Sequence, residues 1–199
     1  LNIEALVFAF DKVMFRHESL RTIYQENSDG EPVQLVRENA RVPYEYKELQ
    51  QEGDWQSALS SIIQDEQLKP FDLSKGILIR LLRIKVEEQL NYLVVTLHHI
   101  ASDGWSTGII VNEVSQFYRS YLGHFRPDLP EVAIQYADYA VWQNEYLNDE
   151  RLSYLKKFWL EYLDSIPLVH SLPLDYPRFG ITKAISATEK RTISGNLYQ

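Results

Sequence analysis

The sequence predicts an α/β (α+β) sandwich, and three observations carry that prediction. Apolar residues recur at helical spacing in five segments, two long apolar runs read as strands, and the scattered glycines form neither GxGxxG nor GK[ST], which argues against a doubly wound nucleotide fold. With 199 residues, 45% of them hydrophobic, the chain is long enough to bury one substantial core, which excludes a disordered or fibrous protein. Twenty Lys and Arg against 28 Asp and Glu give a formal net charge of −8, so neither nucleic acid nor an anionic membrane is an expected partner. The absence of Cys removes disulfides, thiolate metal sites and a cysteine nucleophile. No apolar run approaches the ~18–20 residues of a membrane span, and cytoplasm is the expected compartment.

The elements follow in order. Ile3, Leu6, Val7, Phe10, Val13 and Met14 mark an amphipathic helix closing at Arg16 and His17. Leu20–Tyr24 and Val33–Val36 read as a hairpin around the turn-forming Asn27-Ser28-Asp29-Gly30. Trp55, Leu59, Ile62 and Ile63 mark a helix over 55–68 that Pro70 stops. Ile77–Val86 and Leu90–His98 are strands joined by Glu87-Glu88-Gln89. The second reads LNYLVVTLHH, with almost no polar alternation, and predicts cover on both faces. Helices over 107–122, 134–147 and 152–163 complete the series, with charged, proline-bearing linkers at 123–130 and 165–177.

The stretch that carries chemistry is HHIASDGWS, His98 to Ser106, where that apolar strand ends and a helix begins. Consecutive strand residues face opposite ways, so His98 and His99 do not both enter one cavity; one works and the other packs. An imidazole, with an unperturbed pKa near ~6.5, is the side chain best matched to moving a proton at neutral pH. A metal site is poorly supplied, because only His17, His124 and His170 remain and there is no Cys. On residue types alone, two histidines at a strand end are more often packed rim residues, and Asp103 before a helix is more often an N-cap.

Two further stretches stand beside this one: RHESLRTIY at Arg16 to Tyr24 and YADYAVW at Tyr136 to Trp142, followed by LPLDYPR at 172–178. In this order they resemble the condensation domains of nonribosomal peptide synthetases, with their HHxxxDG, RHExLRT and YxDFAVW segments. The resemblance implies the chloramphenicol-acetyltransferase-like fold, two related lobes forming a V with the histidine motif facing a tunnel between them. It further implies that residues 1–199 are a partial domain, the N-terminal lobe over about 1–165 and the start of the crossover to a second lobe over about 166–199. The Leu at position 1 and an alternating stretch at the end that lacks a closing turn support reading the chain as a piece of a longer one.

The activity implied is amide-bond formation between a donor acyl or peptidyl thioester and the amine of an acceptor aminoacyl thioester. Both are tethered through phosphopantetheine to carrier domains, the implied partners together with an adjacent adenylation domain. His99 matches the position of the catalytic histidine, as general base or as positioner of the amine. Gly104 offers a backbone N–H for the developing oxyanion or simply permits the turn. His98, Asp103, Arg16 and Arg21 are assigned to supporting the site, Asp103 pairing with Arg16 first and Arg21 second, so that loss of Asp103 harms folding before chemistry. Tyr136, Trp142 and His17 are read as structural, the aromatics as core. Alternatives on the same fold are an epimerisation domain, a coenzyme A-dependent acyltransferase and a non-catalytic recruitment domain, against which the intact HHIASDG and the flanking segments speak.

Overall fold

The computed structural model describes residues 1–49, 53–124, 126–167 and 173. The chain divides into two compact units, Leu1–Arg151 and Leu152–Gln199. The first contains the sheets and the histidine motif. Helix α1 (Ile3–Arg16) begins where the Asn2 side-chain oxygen accepts the Ala5 N–H at 2.9 Å, satisfying one of the donors a helix start leaves unpaired. Its inner stripe of Ala5, Leu6, Ala9, Phe10, Val13 and Met14 is buried, as the spacing predicts. A 3-10 turn at Glu18–Arg21 leads into the predicted hairpin, β1 (Thr22–Glu26) and β2 (Pro32–Val36), with Thr22 opposite Val36. The Asn27 side chain closes the loop by accepting the N–H groups of Asp29 and Glu31, and Gly30 supplies a φ of +77°.

The main sheet has the order β3 (Tyr44–Glu48), β4 (Ile79–Lys85), β5 (Asn91–Leu97). β3 and β4 are parallel, joined across helix α2 (Trp55–Leu68), and β5 returns antiparallel to β4 with Leu81 opposite Val95. Alternation along β4 divides the core in two. Ile79 and Leu81 pack with Leu6, Phe10, Val13, Met14 and with Ile110 of helix α3 (Gly104–Tyr121), while Leu82 and Ile84 pack with Leu59, Trp55, Ile62 and Ile63 of α2. The result is helices on both faces of a sheet, the predicted sandwich.

Three expectations need correction. Strand β5 has cover on both faces only over its second half, where Val95 and Leu97 pack on the α1/α3 side and Val94 on the α2 side; among the described residues it forms an edge of the sheet, and Tyr92 and Leu93 are 36% and 38% exposed, whereas Ile79, Leu81, Leu82 and Ile84 of the central β4 are all buried. β3 is absent from the elements the sequence predicts, because the run YEYKE carries three charges in five residues and its partner among the described residues, β4, lies far along the chain. Helix α4 (Tyr136–Tyr146) has no buried residue, so Tyr136 and Trp142 are not core. Their rings meet along the helix instead, Tyr136 with Tyr139 and Tyr139 with Trp142 tilted at centroid distances of 6.0 and 5.6 Å, and Trp142 stacked on Tyr146 at 5.0 Å.

Helix α5 (Asp149–Tyr162) starts at the end of the first unit and supplies most of the described part of the second, and within it Phe158 stacks on Tyr162 at 5.8 Å. The LPLDYPR stretch, apart from Pro173, and His170 lie outside the described residues.

Candidate active site

Strand β5 delivers the motif. One residue past its end, the His98 N–H still donates to the Leu78 carbonyl at 3.0 Å, and the chain then turns. The His98 carbonyl accepts the Ala101 N–H at 3.0 Å and the Ser102 hydroxyl at 3.2 Å, and His98 Nδ1 accepts the Ile100 N–H at 3.0 Å. All of these bonds converge on His98, which is half-buried with its ring edge-on to Phe71 at 5.6 Å. His98 therefore builds the turn. His99 sits at the next position of that turn and is exposed, so the two histidines differ in burial through the turn rather than through strand alternation, since β5 ends at Leu97.

Asp103 closes the loop and opens α3. Its Oδ1 accepts the Ser106 N–H at 2.8 Å and the Ser106 hydroxyl at 2.6 Å, while Ser106 Oγ accepts the Asp103 N–H at 3.3 Å, a reciprocal capping box. These bonds hold the Asp103 carboxyl below the usual carboxylate range, first through the Ser106 hydroxyl, then its N–H, with smaller help from the nearby His99 ring. Gly104 is the first residue of α3, and a Cβ placed there meets nothing within 4 Å. Packing around Gly104 therefore does not demand glycine. Its N–H belongs to the first helical turn, whose donors the helix leaves free of intrahelical bonds.

The predicted pair between Asp103 and Arg16 is not formed. Asp103 is exposed and its short side chain finds donors in its own first turn, which are closer than any partner across the fold. Arg16 turns instead to Glu113 on the inner face of α3, Nε to Oε1 at 3.1 Å, and also donates to the Pro130 carbonyl. His17 Nε2 meets the other oxygen of Glu113 at 2.7 Å. Arg21, the second choice, is likewise not a partner of Asp103: buried, it donates to the carbonyls of Arg37 at 2.8 Å and Phe15 at 3.3 Å and pairs with Glu18 at 3.4 Å.

Sequence reasoning missed Glu113, which is 5% exposed and ties α1 to α3. A signal was present: Glu113 falls in the same stripe as Ile110, Val114 and Phe117, and a charge in an apolar stripe has to find a partner. Around this cluster, Gln135 at the start of α4 donates to the Arg16 carbonyl at 3.0 Å and accepts the Glu18 N–H at 3.1 Å, so the RHES stretch, α3 and α4 are fastened together. A small cavity of about 80 Å³, lined by His17, Ser19, Leu20, Ala101, Ser106 and Ile109 among others, lies beside the motif. Among the described residues, no group of three His, Asp or Glu converges as a metal site.

A profile of the condensation-domain family matches residues 1–195. Malpibaldin synthetase of Mortierella alpina is 35% identical over 178 residues, which cover 89% of this chain and 3% of that protein. Gramicidin S synthase 2 of Brevibacillus brevis is 37% identical over 171 residues, 85% of this chain and 4% of that protein. Among solved structures, the X-domain from teicoplanin biosynthesis superposes with a TM-score of 0.76 at 26% identity, covering 89% of this chain and 39% of that one. The epimerization domain from the third module of tyrocidine synthetase B gives 0.74 at 22% identity, covering 89% and 40%. The chain belongs to the condensation-domain family and has its chloramphenicol-acetyltransferase-like fold. It spans 3% and 4% of the length of these two curated relatives and about two fifths of the solved chains.

Proposed function

We propose that residues 1–199 hold the histidine-bearing first lobe, over about 1–165, and the start of the crossover to a second lobe, over about 166–199, of an enzyme that forms an amide bond between two carrier-tethered substrates in nonribosomal peptide synthesis. The observation that carries this reading is the exposed His99, presented on a turn that His98 pins and followed directly by the start of α3. In the reaction, the acceptor amine nitrogen attacks the donor thioester carbonyl carbon. The C–N bond forms, the C–S bond breaks, and the proton lost by nitrogen passes by way of His99 to the departing thiolate of the donor's phosphopantetheine arm. The product remains on the acceptor's arm. Those arms belong to the substrates, so the partners are the upstream and downstream carrier domains and, by membership of the same synthetase, an adenylation domain.

Two contributions of His99 differ in size. General base catalysis typically gives ~10²–10⁴-fold, whereas holding two tethered reactants in line removes up to ~7–11 kcal/mol of barrier. An α-amino group with pKa near ~7.7–8.0 is already partly neutral at pH 7, so His99 serves either as base or as positioner of its lone pair, and alignment of the two arms is shared with the rest of the site. The first-turn N–H of Gly104 is aimed, in this reading, at the oxygen that becomes negative in the tetrahedral intermediate. Asp103 supports the site by fixing where α3 starts, and Arg16 and Arg21 by fixing the segments packed behind it.

A second reading, a recruitment domain without chemistry, draws on the likeness to the teicoplanin X-domain, a structure of which is a complex with OxyB. The experiment that separates the readings offers the intact parent domain a loaded donor carrier and a loaded acceptor carrier and weighs the acceptor arm by mass spectrometry. Amide product on that arm supports condensation. Solvent deuterium entering at the α-carbon without a new amide points to epimerisation, turnover of a coenzyme A thioester alone points to a free acyltransferase, and no turnover with either supports recruitment.

A further inference from the structure

One cluster lies outside the groups already given a role and yet touches the motif. Arg80, on the α2 side of β4, places its guanidinium 3.8 Å from the centroid of the Phe71 ring, and Phe71 meets the His98 ring edge-on at 5.6 Å. Arg80 has little freedom to leave that position. Its Nε donates to Glu66 Oε1 at 2.7 Å, its Nη2 donates to the carbonyls of Lys69 at 2.9 Å and Glu66 at 3.2 Å, and its Nη1 donates to the carbonyl of Pro70 at 3.2 Å. Three of these acceptors are backbone carbonyls at and just beyond the end of α2, where a helix leaves acceptors unpaired and favours a cation. Both side chains of the ion pair are largely enclosed, at 12% and 7% exposure for Arg80 and Glu66. A planar, fixed cation over one face of Phe71 holds the ring at a set angle, and that ring in turn packs nearly perpendicular to the His98 imidazole.

The link to function runs through Nδ1 of His98. That nitrogen accepts the Ile100 N–H, and the bond exists only while the imidazole keeps one orientation. We propose that Phe71 and Arg80 are positioning residues: the Arg80–Phe71 stack sets the His98 ring so that it pins the Ile100 amide and thereby fixes the turn from which His99 is presented. The inference rests on the reading of His99 as the working imidazole, although the clamp itself is measurable without any turnover.

The test is amide hydrogen exchange followed by NMR on the full 199-residue chain, with Ile100 as the reporter of the clamp and Leu81, whose N–H donates to the Pro43 carbonyl at 2.9 Å in the sheet, as the reporter of global stability. Phe71→Leu, which keeps most of the volume but removes the ring, accelerates exchange at Ile100 by at least about tenfold with Leu81 unchanged, and Arg80→Lys, which keeps the charge but loses the plane, acts in the same direction. Phe71→Tyr restores Ile100 to within about threefold of wild type. Unchanged exchange at Ile100 in Phe71→Leu overturns the proposal, as does equal acceleration at Ile100 and Leu81, which signifies general destabilisation only. In the parent synthetase the same Phe71→Leu lowers kcat with little change in KM; an unchanged kcat there, while His99→Ala is inactive, overturns the positioning role. If His99→Ala itself retains full turnover, the functional reading has failed and the exchange arm alone still decides the clamp.

Discussion

Strands β4 (IRLLRIK) and β5 (NYLVVTL) lie side by side, the first with three cations and the second with no charge, yet it is the charged strand whose apolar residues are fully enclosed. Ile79, Leu81, Leu82 and Ile84 of β4 are enclosed by α1 and α3 on one face and α2 on the other, while β5 stands at the sheet edge with Tyr92 and Leu93 more than a third exposed. An apolar strand therefore does not announce its own cover; its place in the strand order decides that. The division also separates two tasks. β4 holds the core together, and β5, at the sheet edge among the described residues, leads into the turn that exposes His99.

The comparison breaks most readily on stability. Leu81→Ala or Ile84→Ala in β4 costs about 2–5 kcal/mol by leaving a cavity in a closed core, measured by urea unfolding. Leu93→Ala in β5 costs less than about 1 kcal/mol on the same scale. Equal losses at the two strands contradict the described burial.

Next in size is the buried carboxylate that replaced the expected pair. Glu113→Ala strands Arg16 and His17 at the packed seam between α1 and α3 and lowers stability by about 3 kcal/mol. Asp103→Ala leaves that seam intact, so the NMR signal of the Arg16 Nε–H moves in the first variant and stays in the second. A shift in both restores the Asp103–Arg16 pairing that the sequence suggested.

Much of the architecture was readable because it rests on local periodicity. Helix α1 ends at Arg16 and α2 runs from Trp55 to Leu68, as their apolar spacing and Pro70 require, and the hairpin turns on Asn27 and Gly30. What escaped is non-local. β3 pairs with residues 37 positions along the chain, Tyr44 with Leu81, and its own letters mimic a solvated segment. The exposed face of α4 escaped for a related reason: aromatic rings at spacings of three and four make contact with one another as well as they fill a core. At the site, strand alternation does not reach His98 and His99, because β5 ends at Leu97, and the difference in their exposure comes from the turn that follows. The partners of Asp103 and Arg16 were not legible either, since two serviceable partners for a cation differ only in where the chain brings them.

The smallest effect concerns acidity at the start of α3. Because folding lowers the Asp103 pKa, chiefly through the Ser106 hydroxyl, the cap's contribution is fully present above the unfolded-state value near ~3.9 and is lost as pH falls through the lower folded value. The Ser106 amide resonance in the wild type accordingly titrates below the ordinary Asp range. Asp103→Asn keeps an acceptor oxygen and removes that titration; a midpoint at or above ~3.9 in the wild type contradicts the capping geometry.

The central claim is that His99 is presented for chemistry and is not part of the packing. It is tested most directly by single-turnover peptide formation in the intact parent domain with loaded carriers, wild type against His99→Ala, alongside the unfolding midpoint of each. The account predicts a rate loss of ~10²–10⁴-fold with stability changed by less than about 0.5 kcal/mol. A loss below about tenfold, or a rate loss matched by unfolding, contradicts it.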